Sequence, residues 1–300
     1  MAHDHHHPQP DHSFNLAFAV AVLLNFGFTL AEAAYAILAN STSLLADAGH
    51  NFGDVLGLGM AWGSSLLLKR AATARYSYGF KKTTIIAALA NALILVATSV
   101  LIAYEAIDKL LTPVAVNENI VIWVALIGMV INGGTALLFL KGRHKDLNIK
   151  GAYIHLASDA LISFGVVLAG VAIKITAWWW LDPVVGLLIV LAILWGTWGL
   201  LRDSVNLILD AVPHHINQQA VKQYLHSITG VATVHDLHIW GLSTQEAALT
   251  AHLIMPEQTL SDQDFETINE ILLHRFHINH VTLQVEKGLC ADPCGQVMKC

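Results

Sequence analysis

The chain has 300 residues, 55% of them hydrophobic and only 13% charged, with a formal net charge of −6 and a mean hydropathy of +0.56. A soluble domain carries about a quarter of its residues as charge, so this composition excludes an ordinary soluble protein. The charge is spread along the chain, with no basic stripe of the kind that tracks nucleic acid, and no nucleic-acid partner is expected.

From the N-terminus, residues 1–13 form a His-rich tail with five histidines in the first twelve residues. Such a tract gathers metal loosely without a fixed structure. The alternative is a purification tag, against which the interleaved Asp and Pro argue. Residues 14–208 then read as a membrane domain of six helices, at about Phe14–Leu38, Ser43–Leu68, Thr83–Tyr104, Asn119–Leu140, Gly151–Ile175 and Asp182–Ile208. Each run matches the roughly twenty residues a helix needs to cross lipid. None has the alternating ten-residue pattern of a barrel. The first run is too long for a signal-peptide core and lacks a small-residue cleavage pattern, so it reads as a retained helix.

Basic residues between the spans set the orientation. Lys69, Arg70, Arg75, Lys81 and Lys82 lie between spans two and three, and Lys141, Arg143, Lys145 and Lys150 between spans four and five. The other connections offer only Lys109 and Lys174. The positive-inside rule therefore places both termini in the cytoplasm, with the inner (plasma) membrane as the expected location.

Composition shifts after Pro213, and residues 209–287 read as a cytoplasmic α+β domain. Asn217–Ser227 has a helical pattern, Val234–Trp240 and Ala247–Ile254 read as strands, and Ser261 caps a helix bearing Phe265, Ile268, Leu272 and Phe276 at helical spacing. His280–Glu286 alternates as a third strand. The order αββαβ suits a two-layer, ferredoxin-like sandwich. So small a core gains from dimerisation. Residues 288–300 form a tail holding all three cysteines, Cys290, Cys294 and Cys300, where no disulfide framework can organise the fold.

The chemistry concentrates in two short strings. Span two contains DAGHNFGD and span five HLASD, so His50 precedes Asp54, and His155 precedes Asp159, by four residues. An i,i+4 pair shares one helix face. If the two faces meet, two imidazoles and two carboxylates surround one point, a donor set suited to tetrahedral Zn²⁺. An Asp at the centre of a membrane helix costs about 2.5–3.5 kcal/mol on insertion scales. Repeating that cost on two spans for packing alone is hard to justify. Four protein ligands leave no open position for water, and no His-Glu-xx-His pattern supplies a general base. Carriage of the ion is therefore favoured over a membrane-embedded metalloenzyme. A channel is also disfavoured, since it needs weak, repeated sites along a pore. Imidazole favours Zn²⁺ over Mn²⁺ or Mg²⁺, while Cd²⁺, Co²⁺ and Ni²⁺ also fit. Asp47 either belongs to a hydrated path towards the outer face or sits at the water interface, the latter being the favoured expectation. Asn25, Glu32, Asn91 and Asn132 are expected in interhelical hydrogen bonds, with no transport role.

The six spans, the paired His-xxx-Asp motifs and the αββαβ tail resemble the cation diffusion facilitator family over roughly residues 14–290. The strings SLLADAGHNFGD, HLASD, HDLHIW and HVTLQVE carry the likeness. It is nearest to the zinc-exporting bacterial branch with His on span two. The resemblance implies a homodimer in membrane lipid that exchanges cytoplasmic Zn²⁺ for external protons by alternating access, with no organic cofactor. Some family members hold a second site in the loop between spans two and three. Here RYSYGF places Tyr76 and Phe80 at its histidine positions, so that site is expected to be absent. The resemblance also pairs Lys82 with Asp210 as a charge interlock near the dimer interface, the alternative being two ordinary juxtamembrane charges. It marks His235 and His252 as ligands of a regulatory cytoplasmic metal site. Some relatives use a histidine and an acid where this chain has Gln284 and Glu286. Cys290 and Cys294, spaced Cys-xxx-Cys, are the other means of completing that site, or are free thiols of an unstructured tail.

Overall fold

The computed structural model describes residues 16–140 and 147–288. The described residues form α1 (Leu16–Leu38), α2 (Thr42–Leu68), α3 (Thr83–Leu111), α4 (Glu118–Phe139), α5 (Leu147–Thr176), α6 (Leu181–Ile208), α7 (Gln218–His226), β1 (Thr233–Gly241), β2 (Ala247–Ile254), α8 (Asp262–Phe276) and β3 (Ile278–Glu286). Four helices, α3 to α6, are long and apolar enough to cross a membrane by length and composition. At 23 and 27 residues, α1 and α2 are also of spanning length, but α2 carries Asp47, His50, Asn51 and Asp54 within its length.

Two spans run further than their apolar stretches. α3 continues past Tyr104 to Leu111, because its polar last turns are helix-compatible: Lys109 Nζ meets Glu105 Oε1 at 2.6 Å in an i,i+4 pair. α5 begins at Leu147, four residues before the expected Gly151. The longer α5 makes His155 its ninth residue, as His50 is the ninth of α2.

The chain divides into two compact units, residues 1–56 with 94–195, and residues 57–93 with 196–300. In the first, Leu44, Ala46, Leu95, Ile102, Val121, Val166 and Val190 form a buried core. Small residues bring the helices close. A Cβ on Gly53 would lie 2.1 Å from Leu95 Cδ2, so no larger residue fits there without a shift. The start of α2 is tied to α6 by the fully buried Asp182. This carboxylate accepts from Ser41 Oγ (2.6 Å), Ser43 Oγ (2.6 Å) and the Thr42 backbone N–H (2.5 Å), and so satisfies donors at a helix N-terminus.

In the second unit, the C-terminal domain is a three-stranded sheet in the order β1-β2-β3, with β1 antiparallel and β3 parallel to β2. The expected αββαβ order is met. The parallel pairing needs α8 as its crossover. Leu249, Ala251 and Leu253 face the core with Val221 and Leu225 of α7 and Ile268, Leu272 and Phe276 of α8. Ser261 and Asp264 form a full capping box at the start of α8. The β1–β2 register shifts between His235 and His238, where Asp236 sits at a positive φ of 49°, a conformation Asp tolerates better than most residues.

Candidate metal centre

His50 and Asp54 lie on one face of α2, and His155 and Asp159 on one face of α5. Six successive spans make α2 and α5 antiparallel, which sets the histidine of each helix level with the aspartate of the other. The distances follow that logic. His50 Nε2 is 3.3 Å from Asp159 Oδ1, and His155 Nε2 is 3.4 Å from Asp54 Oδ2. Within each helix the His–Asp separation is 3.7 Å. The four side chains therefore alternate His, Asp, His, Asp around one point. Ligand atoms of His50, Asp54 and Asp159 all lie within 4.8 Å of one another. His155 joins through the two aspartates, its ring centroid 6.2 Å from that of His50.

At 3.3–3.7 Å these contacts are longer than ordinary charge-assisted hydrogen bonds. Asp54 Oδ2, which faces both imidazoles, and Asp159 Oδ1, which faces His50, are buried without a hydrogen bond of good geometry to any described residue. Buried carboxylate oxygens are almost always satisfied, and leaving one orphaned is costly. A divalent cation at the centre of the ring would satisfy both. Side-chain exposure falls across the ring, from 48% at His155 and 31% at Asp54 to 19% at His50 and 3% at Asp159. The ring is thus open along its His155–Asp54 edge.

Beyond the closed edge lies a further polar layer. Asp47, expected at the water interface, is fully buried. It lies one turn before His50 and accepts 2.7 Å from Ser163 Oγ, one turn past Asp159. Glu32 of α1 accepts from Asn51 Nδ2 at 3.1 Å, the interhelical bond expected of it. The three asparagines differ from expectation, Asn25 Oδ1 being buried without a hydrogen-bond partner among the described residues. Both side-chain atoms of Asn132 are buried without a partner among the described residues. Asn91 Oδ1 is likewise unpartnered, its amide instead filling the space left by the missing side chain of Gly57.

The C-terminal domain gathers a second cluster. His235 and His252 are cross-strand partners, and Glu286 ends β3 beside Ile254. His252 Nδ1 is 2.8 Å from Glu286 Oε1 and His235 Nε2 is 3.1 Å from Glu286 Oε2. All three offer ligand atoms within 4.8 Å of one another. Gln284 is no ligand here but donates to Glu286 at 2.9 Å. Burial works to raise the Glu286 pKa, yet the bonds from His235 and Gln284 and the two imidazole charges outweigh it and hold the carboxyl below its ordinary value. The hydrogen bond from His238 likewise lowers the pKa of Asp236. Cys290 and Cys294 lie outside the described residues. Lys82 Nζ meets Asp210 Oδ1 at 2.7 Å, both side chains about half exposed. Tyr76 and Phe80 pack against each other with ring centroids 4.9 Å apart.

Paired imidazoles and carboxylates set between two helices of a membrane bundle form a donor set for a divalent cation. Comparison with known proteins narrows the reading. The chain belongs to the cation efflux family: residues 18–209 match the cation efflux transmembrane domain and residues 213–288 the cation efflux protein cytoplasmic domain. It is 33% identical over 291 residues to the cation efflux system protein CzcD of Alcaligenes sp. (strain CT14), covering 96% of this chain and 90% of that one. It is 32% identical over 300 residues to the zinc transporter ZitB of Escherichia coli K12, covering 98% and 95%. Against the cadmium, cobalt and zinc/H(+)-K(+) antiporter of Bacillus subtilis 168, identity is 31% over 272 residues, covering 89% and 87%.

Proposed function

We propose that this cation exporter carries Zn²⁺ out of the cytoplasm in exchange for protons, holding the ion on His50, Asp54, His155 and Asp159. The observation that carries the reading is the ring of four alternating donors, with Asp54 Oδ2 and Asp159 Oδ1 unpartnered among the described residues. Two nitrogens and two oxygens suit Zn²⁺, and the relatives named for zinc, cadmium and cobalt support a borderline-soft ion. Metal binds neutral imidazole, and imidazole titrates near neutral pH, so protons and metal compete for the same groups. Protons entering from outside expel the ion, and their loss to the cytoplasm reloads the ring.

The basic residues after α2 support an inner-membrane protein with the α2–α3 side and both termini in the cytoplasm. His155, nearer the start of α5 than Asp159, and Asp54, one turn further along α2 than His50, then form the cytoplasmic edge of the ring. That is the edge with greater exposure, which supports loading from inside. The protein works as a homodimer, with Lys82 and Asp210 as a charge interlock near the subunit contact. His235, His252 and Glu286 form a regulatory cytoplasmic site that reports metal to that dimer. Cys290 and Cys294 remain as its additional candidate ligands.

Uptake into proteoliposomes under an imposed pH gradient, comparing Zn²⁺, Cd²⁺, Co²⁺ and Mn²⁺, tests the reading. Zn²⁺ uptake is expected to follow the gradient and Mn²⁺ uptake to be slow. Zn²⁺ uptake indifferent to both pH and gradient would remove the proton coupling.

A further inference from the structure

We propose that Glu32 and Asp47 form a second cation-binding subsite, on the outward side of the four-residue ring, which receives the divalent metal as it leaves. The inference rests on the ring being the transport site. Asp47 precedes His50 by one turn of α2, and α2 starts from the side opposite the basic loops, so Asp47 lies outward of the ring. Ser163, which donates to Asp47, lies one turn outward of Asp159 on antiparallel α5. Glu32 approaches the same face of α2 from α1, bonded to Asn51, which lies one turn after Asp47 and next to His50. Through Ser163, one turn from Asp159, and Asn51, next to His50, both acids are tied to the residues that flank the ring.

Two independent observations point to a ligand. Both acids are completely buried, at 0% exposure, in apolar helices. Each has one oxygen fixed by a neighbour and the other with no partner among the described residues: Oδ2 of Asp47 accepts from Ser163 while Oδ1 is free, and Oε2 of Glu32 accepts from Asn51 while Oε1 is free. Buried acids in membrane helices are held in place by function or by counter-charge. No Lys or Arg occurs in the described parts of α1 or α2 to neutralise this pair. Ser163 and Asn51 orient the two carboxylates and leave one oxygen of each for a cation. The donor set also fits a point of departure. It is oxygen-only and lacks imidazole, so it binds Zn²⁺ less firmly than the ring does. Conduction requires successive sites that are weak enough to leave.

The test uses the full chain in proteoliposomes, with Zn²⁺ flux for kcat and KM, and equilibrium dialysis of Zn²⁺ in detergent for affinity at the ring. Asp47→Asn keeps an acceptor for Ser163 and removes the charge. It is expected to lower kcat by about tenfold or more while KM and ring affinity stay within about twofold. Glu32→Gln is expected to behave alike, so the inference does not depend on the folding of one variant. Ser163→Ala, which keeps the charge but loses the strut, should lower kcat less than Asp47→Asn. Unchanged kcat in both acid variants overturns the subsite. So does a loss of ring affinity in step with kcat, or an equal loss in Ser163→Ala, each of which makes Asp47 a support of the ring. A defect that disappears when flux is driven by a metal gradient at equal pH assigns the pair to protons and also overturns it. Failure of the ring itself looks different: Asp159→Ala would then transport normally, whereas failure of the subsite alone leaves Asp159→Ala inactive and Asp47→Asn at the wild-type rate.

Discussion

Asp182→Ala is expected to be among the most destabilising single changes in the membrane domain. The carboxylate accepts from the Ser41 and Ser43 hydroxyls at 2.6 Å and from the Thr42 N–H at 2.5 Å, with the Ser43 N–H at 3.4 Å, and all four residues are buried. Bonds to a charged acceptor contribute about 1.5–3 kcal/mol each, but they are not additive. The hydroxyls recover part of the loss, since Ser41 Oγ and Ser43 Oγ are already 3.3 Å apart and Ser41 Oγ accepts from the Leu44 N–H. The Thr42 N–H has no such substitute. Removing one partner of a buried charged network costs about 3–5 kcal/mol, which corresponds to a fall in Tm on the order of 10 °C. Asp182→Asn retains an acceptor and should lose about half as much. Thermal unfolding in detergent, followed by tryptophan fluorescence, measures both. An Asp182→Ala Tm within about 1 °C of wild type would refute the reasoning.

Other outcomes follow from the same packing and charges. Gly186→Ala places a Cβ 3.1 Å from the Thr42 carbonyl, which is backbone and cannot rotate away, so a loss of about 1–3 kcal/mol is expected in the same assay. Lys81→Glu and Glu246→Lys each break a half-exposed ion pair between the α2–α3 loop and the β1–β2 turn. Each single variant should cost at most about 1 kcal/mol and the double swap should restore it, as a double-mutant cycle will show. Because the folded Glu286 pKa lies below its unfolded value, its stabilisation is present above the ordinary carboxylate range and is lost as pH falls through the folded pKa. Hydrogen exchange of β1 and β3 in the full chain should lose protection on that acidification, and Glu286→Gln should remove the pH-dependent part.

Much of this arrangement is legible in the sequence. The i,i+4 spacing of His50 with Asp54 and of His155 with Asp159 specifies two helix faces, and antiparallel spans then fix which residues lie level. What spacing cannot supply is depth. Asp47 sits on the same helix face as His50, but its burial and its bond from Ser163 of α5 depend on helix packing that spacing does not encode. Asn132 reads as a bonding residue from its type alone, yet no described neighbour meets it. Span ends were also hidden, because Glu105, Asp108 and Lys109 end an apolar run without ending a helix. In the C-terminal domain, alternation identifies the strands and the outward face of His252. It says nothing of strand direction, and the parallel β2–β3 pairing is what brings Glu286 to the histidines.

The central claim is that the four-residue ring holds the exported ion. Zn²⁺ flux in proteoliposomes bearing Asp159→Ala, read beside equilibrium Zn²⁺ binding by the same variant, tests it most directly. Asp159 is the least exposed member of the ring and one of its two carboxylates, so its removal is expected to abolish flux and lower the number of bound ions by one per chain. Wild-type flux and an unchanged binding stoichiometry in a folded Asp159→Ala protein would contradict the account.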